Sequence, residues 1–345
     1  MNKRQIIALS IFFVLLCVGG VAYNTFGQKR VEKDENIQTF MPGIEISALY
    51  DDGEYLWTGT SDGIYLLNRD SGEIEKKLDA DIKMIFSAQI AKTDDGIIWL
   101  GHDAGLSAFN SAFEEVQRFE APDIPKGRVN TIYTDGESVW AGSQEGAAHL
   151  SKVDGKWEVD EILDKKSGLM EDVVEVIEKV GDEIWFGSYL GTKGGGIAIR
   201  SEKGFDYITI DDGLPHRYIN AILPLSEEKV LIGTGQMIYG GLCIAEKKNN
   251  EWKITNTWDQ KDGLAGMKVR TLFLDSSGRL WVTSETEGLI ILDSPDSLNS
   301  LPLEGTILTM DKGLSDDEVK CIIENEYCYW LGTKYGLSRY AKTVD

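Results

Sequence analysis

An all-β architecture, a seven-bladed β-propeller of four-stranded antiparallel blades, is predicted for the 345-residue chain by three observations. Six tryptophans, Trp57, Trp99, Trp140, Trp185, Trp281 and Trp330, recur in one local context, and Leu231 fills a seventh place. Turn-forming Asp-Gly or Ser-Gly pairs precede four of them: Asp52-Gly53, Asp95-Gly96, Asp135-Gly136 and Ser277-Gly278. After each, a Gly-Ser/Thr-like step leads to a second glycine that opens a further apolar strand: Gly63, Gly105, Gly146, Gly196, Gly241, Gly288 and Gly336. Asp-Gly between alternating apolar runs is a hairpin signal. Four short strands repeated every 40–50 residues describe propeller blades, which bury both faces only when stacked in a ring.

Composition agrees. With 42% hydrophobic and 10% aromatic residues the chain is not disordered as a whole. Its 35 Lys and Arg against 57 Asp and Glu give a net charge of −22, which argues against nucleic acid and anionic lipid headgroups as partners. Residues 1–30 are the exception. Lys3 and Arg4, then Lys29 and Arg30, flank an apolar run over about 6–23 with no acid between them. This pattern predicts a hydrophobic helix acting as a signal anchor or signal peptide. An uncleaved anchor would leave the body outside the cytoplasm as a single-pass protein of the cell membrane; cleavage at Gly20 or Ala22 would release it as a secreted one. Leu16 before Cys17 disfavours lipidation.

The blades follow over 36–345. In each, strand a is apolar, as in Ile219-Asn220-Ala221-Ile222-Leu223, and strand b carries the tryptophan, as in Leu56-Trp57-Thr58-Gly59. Strand c follows the glycine, as in Gly63-Ile64-Tyr65-Leu66-Leu67. Strand d is more polar, as in Trp157-Glu158-Val159 or Phe205-Asp206-Tyr207. The seventh unit stops after its strand c at 336–342, so residues 36–40 are expected to supply the missing strand and clasp the ring. A tryptophan at one fixed strand position is read as packing between blades rather than as sugar stacking. Cys243, Cys321 and Cys328 are read as small buried hydrophobes. A turn at Asn325-Glu326 would set Ile323, not Cys321, opposite Cys328, so no bridge is expected.

Leu56-Trp57-Thr58-Gly59-Thr60, the Leu331-Gly332-Thr333-Lys334-Tyr335-Gly336-Leu337 run after Trp330, and the Asp212-Gly213-Leu214 and Asp262-Gly263-Leu264 steps resemble the two-component regulator propeller repeat. That family forms extracytoplasmic sensor regions of hybrid histidine kinases, and the resemblance covers roughly 36–345. Such sensors continue into an immunoglobulin-like module, a membrane helix and a kinase. This chain departs from that pattern in stopping at its seventh blade, so the expected partner is an envelope protein such as a separately encoded sensor kinase.

Catalytic signatures were sought among three histidines, His102, His149 and His216. There is no His-Glu-x-x-His, paired Cys-x-x-Cys, Walker loop or Gly-x-Ser-x-Gly elbow. Gly194-Gly195-Gly196 lacks the strand-to-helix setting of a phosphate cradle, and the Asp-Gly clusters do not match a calcium loop. The expectation is a non-enzyme without cofactor or metal.

Departures from the repeat indicate where binding resides. The step from the tryptophan place to the strand-c glycine is 6 or 7 residues in five blades, but 11 from Trp185 to Gly196 and 10 from Leu231 to Gly241. Blades 4 and 5 thus carry enlarged b–c loops, 187–195 and 233–240. In an antiparallel blade the b–c and d–a connections share one face of the disk. That face is expected to gather Tyr189, Lys193, His216, Arg217, Tyr218, Gln236, Tyr239 and Trp258, with Met237, Met267 and Lys268 nearby, as a ligand-binding surface for a small polar or anionic ligand such as a glycan, or for an envelope protein. His149 is expected to face outward from strand c. Three functions compete: a membrane-tethered, non-catalytic recognition module; a structural envelope scaffold acting by protein contacts; and a propeller lyase or glycosidase using His216 or His102 as acid–base group.

Overall fold

A computed structural model describes residues 33–82, 89–191 and 194–342. The segment expected to be a hydrophobic helix, 6–23, lies outside the described residues. No helix among the described residues is long and apolar enough to cross a membrane.

The described residues form seven four-stranded antiparallel sheets. The innermost strands are Ile46–Asp51, Ile90–Lys92, Val129–Thr134, Val174–Val180, Ile219–Ser226, Val269–Leu274 and Val319–Glu324. The ring closes as expected. Ile37–Phe40 pairs antiparallel with Gly336–Ala341, Ile37 opposite Tyr340 and Phe40 opposite Leu337, as the outer strand of blade 7. Phe40 then meets Trp330 edge-on at 5.4 Å.

Seven apolar clusters, one at each junction, hold the blades to one another. Trp57 of blade 1 packs with Ile90, Leu100 and Phe109 of blade 2. Trp185 packs with Ile219, Ile222 and Ile232, and Trp330 of blade 7 with Ile46 and Leu56 of blade 1, completing the circle. Leu231 holds the equivalent place between blades 5 and 6. The glycine two residues beyond the tryptophan has a packing reason. A Cβ at Gly187 would lie 2.5 Å from Val176 Cγ1 and 2.8 Å from Ile219 Cγ2, so only glycine lets the next inner strand approach.

The Asp-Gly turns do more than reverse the chain. Asp52 accepts hydrogen bonds from the Glu54 and Tyr55 amides on Oδ1 and from Trp57 Nε1 on Oδ2 at 2.7 Å. Asp275 binds Trp281 Nε1 in the same way at 3.0 Å. The turn carboxylate thereby satisfies the one polar atom of a buried indole.

Three expectations are corrected. Residues 233–240 are not a loop: strands Lys229–Gln236 and Tyr239–Lys248 continue into an extended hairpin closed by Met237-Ile238, with Gln236 opposite Tyr239. Ile323 pairs with Trp330, and the Asn325 amide donates to the Cys328 carbonyl, so Asn325 rather than Ile323 stands opposite Cys328. Cys321 pairs with Gly332, and Cys243, Cys321 and Cys328 are free thiols. His149 does not simply face outward. Its ring lies 4.7 Å from that of Trp140, and its Nδ1 is 2.6 Å from Asp160 Oδ1.

Candidate functional site

A recurrent β-bulge gives the propeller's centre its chemistry. In six blades the ladder between the first two strands skips a register at the start of the inner strand, between Ile46/Ala48, Val129/Thr131, Val174/Val176, Ile219/Ala221, Val269/Leu272 and Val319/Cys321. A bulge leaves its extra residue out of the ladder and re-aims the side chain. The skipped residues are Ser47, Asn130, Glu175, Asn220, Arg270 with Thr271, and Lys320, and all of them line the central channel. Apolar residues at the preceding positions anchor the strand in the blade junctions, so the polar ring sits at the loop-face end of a cavity of about 410 Å³.

The ring is charged unevenly. Arg270 Nη1 lies 3.5 Å from Glu318 Oε1, and Lys320 is the same distance from it and also pairs with Glu45. Burial opposes ionisation of Glu318, but Arg270, Lys320 and Lys334 hold its carboxyl below the usual range. Glu175, from the opposite side, has no such partner on Oε2. Burial pushes its carboxyl up against the pull of Arg270, Arg128, Lys268 and Lys320.

The loops of blades 4 and 5 gather on the same face as this end. The Tyr189 amide donates to the Val173 carbonyl, and the Tyr218 hydroxyl reaches the Gly191 carbonyl at 3.5 Å. The Tyr189 and Tyr218 rings are 4.9 Å apart, with His216 4.8 Å and the Arg217 guanidinium 5.5 Å from the Tyr218 ring. Lys268 Nζ stands 3.4 Å from the Tyr189 hydroxyl, 5.5 Å from its ring centroid, and paired with Glu285. It is brought there by glycine: a Cβ at Gly235, in the extended hairpin, would sit 3.0 Å from Lys268 Cα. Burial, then Glu175 and Glu285, push the Tyr189 hydroxyl up to about 12, so it stays a donor at neutral pH. Burial and the neighbouring Arg217 and Lys268 lower His216, whose Nδ1 accepts the Tyr218 amide at 3.1 Å. His216 is thus a neutral imidazole with Nδ1 as the accepting nitrogen.

Four of the eight expected site residues, Tyr189, His216, Arg217 and Tyr218, come together. Gln236 and Tyr239 stand instead at the hairpin tip, where Met237 and Ile238 are each 69% and Tyr239 66% exposed. Trp258 is a core residue. Its indole donates to the Leu298 carbonyl at 3.0 Å and packs with Leu231 and Leu264. Lys193 lies outside the described residues. Sequence reasoning missed Glu175, Arg270 and Lys320, and also Glu171, whose carboxylate takes the Gly194 amide at 3.0 Å and Lys165 Nζ at 2.8 Å to fix the blade 4 loop.

His102 is enclosed: Nε2 is 3.0 Å from Ser107 Oγ, and Ser107 donates to Glu115 at 2.6 Å. Among the described residues, no cluster of three or more His, Cys, Asp or Glu side chains is placed to hold a metal ion.

Comparison with known proteins places this geometry. Residues 263–286 match the family model described as two component regulator propeller; they run from Gly263 through the inner strand of blade 6 and the Trp281 strand to Thr286. Similar solved folds include the extracellular domain of the one-component system BT4673 of B. thetaiotaomicron, with 19% identity, a TM-score of 0.69, and coverage of 90% of this chain and 40% of that one. The extracellular domain of the hybrid two-component system BT3049 of the same organism has 20% identity, a TM-score of 0.67, and coverage of 89% and 41%. PorZ, a surface component of the type-IX secretion system of Porphyromonas gingivalis, has 11% identity, a TM-score of 0.58, and coverage of 86% and 46%. The chain spans less than half the length of each of these three, and at such identities the likeness is one of fold. No curated protein matches the chain in sequence. The chain thus carries a two component regulator propeller repeat sequence, at residues 263–286, within a seven-bladed propeller.

Proposed function

We propose that the protein is an extracytoplasmic recognition module, tethered to the membrane through its N-terminal apolar segment, that binds its ligand at the loop-face mouth of the central channel without transforming it. One observation carries this reading. The two blades that break the repeat, with the connection into blade 6, gather Tyr189, Tyr218, His216 and Lys268 on the loop face near Glu175 of the channel ring, so that aromatic faces, a hydroxyl donor and a neutral imidazole meet there. Irregular loops on a rigid scaffold are where propellers and other superfolds keep their specificity. The likeness to extracellular domains of one-component and hybrid two-component systems supports a sensor role.

A thermal-shift panel of oligosaccharides, organic acids, amino acids and divalent cations on the full chain in detergent tests it. A ligand that binds only the folded state stabilises by about 2.7 kcal/mol at a hundredfold excess over Kd. The expected result is a hit lost in Tyr189→Ala. A hit that survives both Tyr189→Ala and Tyr218→Ala removes the loop-face mouth from the account. The exposed Met237-Ile238-Tyr239 tip favours a second reading, a scaffold working by protein contacts. Silence across the panel, together with an envelope protein cross-linking at this tip, selects it.

A further inference from the structure

Three of the six buried side-chain atoms without a hydrogen-bond partner among the described residues, Ser47 Oγ, Thr131 Oγ1 and Glu175 Oε2, belong to residues that line the central cavity. Buried polar atoms are paired as a rule, so three orphans on residues around one space point to a site that takes partners from outside the chain. The charges around that space are separated. Glu175, with its Oε2 unpartnered, comes from blade 4, while Arg270 and Lys320 come from blades 6 and 7. Arg270 makes one long contact, at 3.5 Å, to a Glu318 that it shares with Lys320 and Lys334. Arg270 lines the channel, and a planar guanidinium fork suits a carboxylate.

Resting on the reading of this mouth as a recognition site, we propose that the channel binds a small zwitterion of the α-amino-acid type, its ammonium on Glu175 and its carboxylate on Arg270. A simple cation would meet Glu175 but be opposed by Arg128, Lys268, Arg270 and Lys320, all of which bear on that carboxyl. A simple anion would meet Arg270 and be opposed by Glu175. A molecule carrying both charged groups on one carbon satisfies both walls, and the hydroxyls of Ser47 and Thr131 remain to meet its side chain. The volume, about 410 Å³, holds an amino acid with water beside it.

The test is isothermal titration of the full chain in detergent with the standard amino acids, and with acetate, methylamine and glucose as probes of each half and of neutral polyols. The proposal expects at least one amino acid to bind, with acetate and methylamine weaker by at least about tenfold. Glu175→Gln and Arg270→Gln should each weaken it by about tenfold or more, the value of a lost charge-assisted contact. Glu175→Gln should melt no lower than the native chain, which separates lost binding from lost fold; Arg270→Lys, which keeps charge without the fork, should fall between. Binding unchanged in Glu175→Gln, or no amino acid binding at all, overturns the proposal. A glucose or acetate hit lost in Tyr189→Ala but retained in Glu175→Gln overturns it while leaving the recognition reading standing.

Discussion

Replacing Trp281 with alanine is expected to lower the free energy of unfolding by about 3–5 kcal/mol, the range for emptying a large aromatic site in a packed core. Trp281 is fully buried between blades 6 and 7, 4.5 Å from the Tyr329 ring and edge-on to Phe273 and Tyr340. The change also strips one donor from Asp275, a buried carboxylate that accepts Trp281 Nε1, the Arg279 side chain at 2.8 Å and the Tyr329 hydroxyl at 3.1 Å. Burial opposes ionisation of Asp275, yet these partners keep it below the usual carboxylate range. Trp281→Phe keeps a six-membered ring but loses the donor and part of the buried volume, and should cost about 1–3 kcal/mol. Urea titrations followed by tryptophan fluorescence check both; a midpoint for Trp281→Ala within error of the native one would contradict the inter-blade role of the repeat.

The second large effect is a pH dependence with an unusual sign. Glu178 follows Glu175 down the inner strand of blade 4, and burial raises its carboxyl to about 7. A carboxyl whose folded pKa lies above its unfolded one favours folding fully below the unfolded value near 4.5, and that contribution is lost as pH rises through 7. Stability should therefore fall between pH 5 and pH 8, opposite to the usual behaviour of a paired carboxylate. Glu178→Gln should flatten this slope and add about 2 kcal/mol at pH 8, less than the full shift implies because the residue lines the channel and is only half-buried. Groups held low, such as Glu115, Asp275 and Glu318, act in a separate window, where stability is lost as pH falls through their depressed values. Melting temperatures of the native and Glu178→Gln chains across pH 5–8 decide it. Parallel curves would mean that Glu178 is ionised and hydrated throughout.

The ring was legible because its determinants are local and repeated. Tryptophan, Asp-Gly and glycine recur at fixed offsets, and the missing last strand has only one terminus from which to come. The site was legible only in part. Tyr189, His216, Arg217 and Tyr218 lie where the repeat length changes, and length is visible in a sequence. Trp258 was misplaced because an aromatic at the end of strand d turns inward when Leu231 leaves room at its junction. The enlarged blade 5 connection reads as a loop from its length alone, whereas Gly235 and Gly240 pack a continued hairpin against residues 267–268. The channel ring depends on a bulge that no single residue announces. Its trace is the polar residue following the first β-branched one in Ile46-Ser47, Val129-Asn130, Val174-Glu175, Ile219-Asn220, Val269-Arg270 and Val319-Lys320. Read one blade at a time, that residue is simply a polar position in an apolar strand. Aligned across six blades, it outlines a ring.

The central claim is that recognition occurs at the loop-face mouth of the channel, whatever the occupant. Amide hydrogen exchange of the full chain, with and without the strongest hit of the ligand panel or a cross-linked envelope partner, tests it most directly. The account predicts slowed exchange in peptides spanning 187–195, 214–221 and 265–272, with the a–b turns around Gly53, Gly136 and Gly278 unchanged. Protection confined to those turns, or to the outer strands, would place binding on the opposite face or the rim and contradict the account.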